Sequence, residues 1–393
     1  MTDAETSVAL SMIRSLGRAG YRVIAGSSRE RGMAARSRHV AARIRYASPA
    51  RDPAGFVEDV RDAIGVQRVD LVIPVTDATI VRLAAARSTL GSELAVTSDD
   101  GLETALSKRR TLELATRIGT PIPRTSAAHD AREALAAASR LGYPVVIKPE
   151  RSYELGRRGA LRSAVDYASS PGALVARLGR LAPQSTVLIQ EIVSGDGVGI
   201  GMLARAGEPV LAFQHRRLRE FPVSGGASAM RVSEALDPIM YRHATDLAWA
   251  LSWTGLLMVE FKRGAAGPRL MEVNGRPWGS LPLAVAAGAD FPRALADLYL
   301  GGRRPSVSTA PPYRIGVRGR NLERELRWVW AVARQHRPHP FLPFPPRHAA
   351  LEPLGDLLRP RVRDDVLALM DPVPGLAYLA ELARMLRRSP ASP

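Results

Sequence analysis

The sequence predicts a multi-lobed chain, part α/β and part α+β, and three observations carry that reading. Strands and helices alternate over the first hundred residues, residues 254–281 read as a hairpin with one polar face, and proline and arginine accumulate after residue 302. With 393 residues and 46% hydrophobic content, the chain can fill two or three cores.

In the first lobe, expected over residues 1–104, the segment SVALSMIRSLGRAGYRVIAG (7–26) reads as a helix and then a strand. DLVIPVT (70–76) is a second strand of the continuous apolar kind found in parallel sheets, and a short helix follows at 78–83. Such a lobe normally opens on a strand, whereas this chain starts at the turn after it, so either that strand is lost or the start lies upstream.

KRRTLELATRI (108–118) has helical spacing and ends at Gly119. An alanine-rich helix over 128–141 leads through Gly142 into a buried strand that ends in Lys148. TVLIQEIV (186–193) is a further strand, and the glycines of the next segment let backbone approach a flat ligand. HRRLREFPVSGG (215–226) sets arginines beside a Ser-Gly-Gly turn, a combination suited to anions. Residues 237–253 form a long helix, 303–313 a linker, and the remainder a helical extension broken by prolines at 338–346.

The charge of +17 is largely an arginine bias, because only three of the 55 basic residues are lysine: Lys108, Lys148 and Lys262. A lysine kept where arginine serves elsewhere suits a task needing a compact point charge. No nucleic-acid partner is therefore expected. The absence of cysteine excludes disulfides, thiolate metal sites and cysteine nucleophiles. His336 and His339 stand close together in the Pro-rich loop and read as loop residues. There is no signal-peptide pattern and no apolar run of 18 residues, which places the chain in the cytoplasm by expectation.

The hairpin carries the chemistry. With a five-residue loop at 264–268, Lys262 lies opposite Leu270, Glu260 opposite Glu272, and Asn274 one diagonal step away. Val259, Phe261, Met271 and Val273 then form the apolar face. Two carboxylates roughly 5 Å apart destabilise a sheet unless a cation or shared proton offsets them. Magnesium fits, since it prefers carboxylate and amide oxygens and leaves positions for phosphate. A solvated hairpin with an accidental charge clash is the competing reading of the hairpin alone.

In this order the segments resemble the ATP-grasp superfamily, specifically its carboxylate-amine ligase branch, and the ATP-binding domain of the carbamoyl-phosphate synthase large chain. The likeness spans 8 to about 302 and is most specific in MEVNGRPWGSLPLAVAAGADFP (271–292). It implies an ATP-grasp fold with a Rossmann-like pre-domain, then an ATP-grasp domain over 105–302 with a lid at about 125–193 and a metal-binding lobe at about 194–302. A Pro/Arg-rich linker and helical extension follow. It implies ATP and magnesium, or manganese in its place, held by Glu260, Glu272 and Asn274. Lys108 and Lys148 resemble the phosphate-binding lysines. Gln190, Glu191, Ile192 and Val193 resemble the adenine linker, with Asp196 for the ribose. Arg217 and Arg276 resemble the arginines at the transferred phosphoryl group.

The lid loop at 150–159 is poor in glycine, so closure there falls to Arg157 or Arg158. Met258 stands where many relatives carry an arginine. The implied activity is an ATP-dependent ligase joining a small-molecule carboxylate to an amine through an acyl phosphate, and the implied assembly a homodimer. A phosphotransferase, a bicarbonate or ammonia ligase, and a non-catalytic basic binding module are the alternatives.

Overall fold

The computed structural model describes residues 1–30, 32–151, 153–156, 159–162, 165–179, 186–301, 313–357 and 362–388. Arg157, Arg158 and most of the expected linker, 303–312, lie outside them.

The first lobe holds α1 (Ser7–Arg18), β1 (Val23–Ser27), β2 (Val40–Arg45), α2 (Pro53–Gln67), β3 (Leu71–Val72), α3 (Asp77–Ala85) and β4 (Glu93–Leu94). Thr6 starts α1 by accepting from the Ala9 N–H, and Asp52 followed by Pro53 starts α2. The parallel pairs β1–β2 and β3–β4 stand as separate two-stranded sheets. Residues 1–4 run between them. The Met1 amine donates to Ile24 O (3.1 Å) and the Met1 carbonyl accepts from Gly26 N (2.8 Å), while Thr2 N donates to Ile73 O (3.1 Å). Residues 1–4 are thus hydrogen-bonded to both neighbours without forming a strand. Beside them the gap between β1 and β3 is a cavity of about 190 Å³ lined by Leu16, Ile24, Ile64 and Leu71.

Helices α4 (Asp99–Leu106) and α5 (Lys108–Arg117) lead to the second lobe. It comprises β5 (Thr125–Ala128), α6 (Ala131–Leu141), β6 (Val145–Pro149), the hairpin β7 (Tyr153–Gly156) with β8 (Gly159–Arg162), β9 (Asp166–Ala168), α7 (Pro171–Leu178) and β10 (Val187–Glu191). Four of its strands make an antiparallel sheet in the order β5-β10-β6-β9, covered by the alanine face of α6.

The third lobe contains β11 (Asp196–Arg205), β12 (Glu208–Phe221), β13 (Ala227–Glu234), α8 (Pro238–Ala250), β14 (Gly255–Gly264), β15 (Gly267–Asn274), α9 (Leu281–Ala287) and α10 (Phe291–Tyr299). After residue 312 come β16 (Arg318–Arg320), α11 (Leu322–Ala333), α12 (Glu352–Leu357), β17 (Val362–Asp364) and α13 (Pro372–Arg388). The sheet runs β15-β14-β11-β12-β13-β16-β17. The C-terminal extension is therefore more than the helical piece expected, because β16 and β17 complete the main sheet.

Val198, Ile200 and Met202 of β11 pack toward α8, while Leu203 belongs to the core under α1, α9 and α10. The alternation leaves Gly197, Gly199 and Gly201 on that second face. The flat groups they admit are the chain's own side chains. A Cβ at Gly199 would overlap the His215 ring, and one at Gly201 the fully buried Trp278 ring. Gly201→Val is accordingly expected to cost about 1–3 kcal/mol by overpacking, read as a lower urea midpoint at unchanged slope.

Candidate active site

The hairpin β14–β15 pairs Glu260 with Glu272 and Met258 with Asn274, as the sequence predicts. Its turn differs. Gly264 pairs with Gly267 across a two-residue loop, Lys262 faces Arg269, and a bulge at Met271 restores the register. Leu270 thereby takes the buried place expected of Met271. It is fully buried and its N–H donates to Pro121 O (2.8 Å).

Asn274 Nδ2 donates to Glu260 Oε1 (3.2 Å) and to Glu272 Oε1 (3.1 Å), so the amide ties both carboxylates together. Arg217 Nη2 donates to Glu260 Oε2 at 2.5 Å, and Lys108 Nζ stands 3.8 Å from Glu272 Oε2. The two carboxylates diverge in acidity. Burial pushes Glu260 above the ordinary range despite Arg217. Burial also acts upward on Glu272, but Lys108 and Lys148, with Asn274 and Arg276, hold it below that range.

Lys108 opens α5, whose N-cap Ser107 accepts from Arg110 N (3.2 Å), and its own N–H donates to Glu150 O (2.9 Å) just past β6. That link brings α5 to the strand bearing Lys148. Burial lowers Lys148 to about 8, with Glu272 and Glu260 opposing the shift and Lys108 and Lys262 adding to it. Lys148 therefore senses the chain's two other lysines and both glutamates.

Arg276 reaches two ways, Nε to Asp77 Oδ1 (2.8 Å) and Nη2 to Asn274 Oδ1 (3.2 Å). Asp77 was not among the sequence-predicted site residues. It sits at the first turn of α3, just past β3 on the segment 70–76, and ligands in open α/β sheets gather at the carboxyl ends of strands. Glu220 was missed as well. It braces Arg217 (Nη1 to Oε1, 3.4 Å), and burial fails to discharge Arg217 because Glu260 and Glu220 keep its guanidinium strongly basic.

Of the residues expected at the adenine, Gln190 and Glu191 end β10 and Ile192 and Val193 follow it. Gln190 donates from Nε2 to Thr125 Oγ1 (2.8 Å), and Glu191 accepts from Arg124 N (2.9 Å) and Nε (2.6 Å). Their side chains are thus engaged and their main chain pairs with β5 and β6, while Ile192 and Val193 lie in the loop beyond the strand. Asp196 does not join the cluster. It lies near Arg216 (3.7 Å) and Arg263 (3.9 Å) on the sheet face opposite Glu260. Met258 is buried and faces Asn274.

The donor set fits a hard cation, with two carboxylates and an amide oxygen within one hydrogen-bonded group and no soft ligand. Among the described residues no cluster of three or more His, Asp or Glu side chains is arranged to hold a metal. A cation at the hairpin would therefore fill its shell from substrate oxygens and water. Arg217 and Lys108 supply the compensating positive charge at the two glutamates.

Residues 183–324 match the family described as ATP-grasp in the biosynthetic pathway with Ter operon. Residues 107–191 match the family described as carbamoyl-phosphate synthase L chain, ATP binding domain. The two matches run without a break from α5 through the hairpin into α11. Over residues 107–324 the chain is similar to ATP-grasp domains.

Among curated relatives, this chain is 26% identical over 253 residues to the carbamoyl phosphate synthase large chain of Thermomicrobium roseum, covering 60% of this chain and 23% of that one. The corresponding chain of Archaeoglobus fulgidus is 27% identical over 218 residues, covering 54% and 20%. The chain thus spans under a quarter of the length of these relatives. Its fold is that of the biotin carboxylase domain of Hydrogenobacter thermophilus 2-oxoglutarate carboxylase, with a TM-score of 0.63 at 15% identity over 81% of this chain and 72% of that one. No helix among the described residues is long and apolar enough to cross a membrane.

Proposed function

We propose that this chain is an ATP-dependent carbon–nitrogen ligase that activates a small-molecule carboxylate as an acyl phosphate and joins it to an amine. The observation that carries the reading is the placement of Lys108 and Lys148, two of the chain's three lysines, beside a pair of half-buried glutamates tied together by an asparagine. A solvated hairpin surface would not draw point charges from α5 and β6 to itself. Support also comes from the match to a carbamoyl-phosphate synthase ATP-binding domain, and from the Hydrogenobacter structure, which is a complex with MgADP, ADP and bicarbonate.

In this scheme Lys108 and Lys148 hold the α- and β-phosphates of ATP, and the main chain of Ile192 and Val193 faces adenine. Asp196, the residue expected at the ribose, lies on the other sheet face beside Arg216 and Arg263. Glu260, Glu272 and Asn274 would hold magnesium, or manganese, which when bound neutralises phosphate oxygens. Arg276, steadied by Asp77, and Arg217, steadied by Glu220, face the phosphoryl group in transfer. A carboxylate oxygen of the acid attacks the γ-phosphorus, and the bond to the ADP oxygen breaks. The amine then attacks the acyl carbon and phosphate leaves, with the surplus amine proton passing to solvent. No side-chain nucleophile is needed.

The test is ATP and magnesium with panels of acids, with and without amines, read by product mass. An amide accompanied by equimolar ADP is expected. ADP or a phosphorylated acid that never yields an amide would replace this reading with phosphotransfer or small-substrate ligation. Because kcat/KM reports the free enzyme, its value for ATP is expected to fall as pH rises through about 8, where buried Lys148 loses its charge. A profile flat from pH 7 to 9 would remove Lys148 from phosphate binding.

A further inference from the structure

The second lobe touches the third through a contact that no motif announces. Tyr167, on the edge strand β9, donates from Oη to Ser224 O (2.8 Å), in the turn that joins β12 to β13. The approach requires glycine, since Gly225 adopts φ +123° and a Cβ there would lie 2.9 Å from Tyr167 Oη. One residue on, Gly226 O accepts from Arg217 Nη1 (3.1 Å), and Gly226 N donates to Glu220 Oε2 (3.4 Å). Arg217 in turn holds Glu260. Edge strand, turn, arginine and hairpin carboxylate thus form one contiguous hydrogen-bonded chain.

The Pro-rich loop of the C-terminal segment grips the same tyrosine. The His339 ring lies 5.0 Å from that of Tyr167, and its Nε2 is 3.6 Å from Asp166 Oδ1. Arg177 completes the seat, with Nη1 3.4 Å from Asp166 Oδ2 and Nε donating to Tyr167 O (2.5 Å). From the other side, Phe221 and Val223 pack on Trp328, Val332 and Ala349 of the C-terminal segment. Burial, with Glu220 and Asp166 adding to it, pushes the Tyr167 phenol up to about 12, so it remains a donor.

We propose that Tyr167, clamped by His339, is a positioning residue that fixes the Ser224–Gly226 turn and through it Arg217, so that the C-terminal segment keeps the second lobe and the acyl-phosphate pocket in register. This rests on the ligase reading for its kinetic consequence but not for its structural one. Loosening the turn lets Arg217 swing from the transferred group and admits water, so acyl phosphate is lost to hydrolysis. Lost hydrogen bonds of this kind change a step by roughly three- to tenfold.

Tyr167→Phe removes the donated bond, and His339→Ala removes the clamp. Both variants are expected to raise amide hydrogen exchange several-fold in peptides covering 222–228 of the nucleotide-free protein, with α8 unchanged. Both should also raise KM for the acid and the ADP-to-amide ratio roughly three- to tenfold, with KM for ATP unchanged. Exchange at 222–228 equal to the parent in both variants would overturn the proposal. So would a lowered melting temperature with an unaltered ADP-to-amide ratio, which is what a merely structural role would give. If the parent protein forms no amide from any acid, the ligase reading fails while the exchange result still decides the positioning role.

Discussion

Glu272→Gln is expected to lower ADP formation by at least about 100-fold, the scale seen when one charge-stabilising group leaves a site of this type. The change is isosteric and keeps the hydrogen bond from Asn274, so circular dichroism and the oligomeric state should match the parent. Glu272 is the sharper choice of the two carboxylates because Lys108 and Lys148 hold it ionised, whereas burial pushes Glu260 toward the neutral form. In the proposed scheme, removing its charge withdraws one oxygen from the cation site and the counter-charge of both lysines in one step. ATP affinity should therefore change less than turnover, as nucleotide titration by calorimetry would report. Turnover equal to the parent would remove the hairpin from the chemistry.

The sequence made this residue legible because opposition across a hairpin follows from period and pairing alone. Glu260 faces Glu272 although the turn is two residues long and not five, since the bulge at Met271 restores the count. That bulge was not readable. Leu270 and Met271 are equally apolar, and the choice between them is made by a core and by the hydrogen bond that Leu270 N donates to Pro121 O, 149 positions away in sequence. Lysine scarcity located Lys108 and Lys148, since a bias in composition makes an exception visible. The partners of the arginines were hidden for the opposite reason: where arginine is everywhere, no single one stands out. That Arg217 binds Glu260 depends on the order β14-β11-β12 in the sheet, and that Arg276 binds Asp77 depends on the first and third lobes meeting. Asp196 shows the converse, because its place after β10 suggested ribose while strand alternation turns it to the other face. The strands β16 and β17 are three residues each, too short for any periodicity, and only the pairing of β16 with β13 and of β17 with β16 reveals them.

Asp365→Ala is expected to destabilise the protein by about 3–5 kcal/mol, the cost of leaving a buried charge without its partner. Arg231, on β13, is fully buried, and its guanidinium pairs with Asp365, which directly follows β17 and is itself buried. Two other nitrogens of Arg231 have no partner among the described residues, so nothing nearby can take over the charge. Urea unfolding should show the loss as a lower midpoint. The double change Arg231→Met with Asp365→Leu should recover most of it, because apolar side chains of similar volume replace such a pair at little or no cost. A loss under about 1 kcal/mol for the single change would mean water reaches the guanidinium. The consequence bears on the site as well as the fold. β13 carries the pair on one edge and binds β12, the strand of Arg217, on the other. Cutting the chain after residue 312 would strip β16 and β17 and expose the β13 edge to pairing with another molecule. The C-terminal segment is thus the far wall of the sheet that aims Arg217 at Glu260, and weakening it is expected to impair turnover before global unfolding begins.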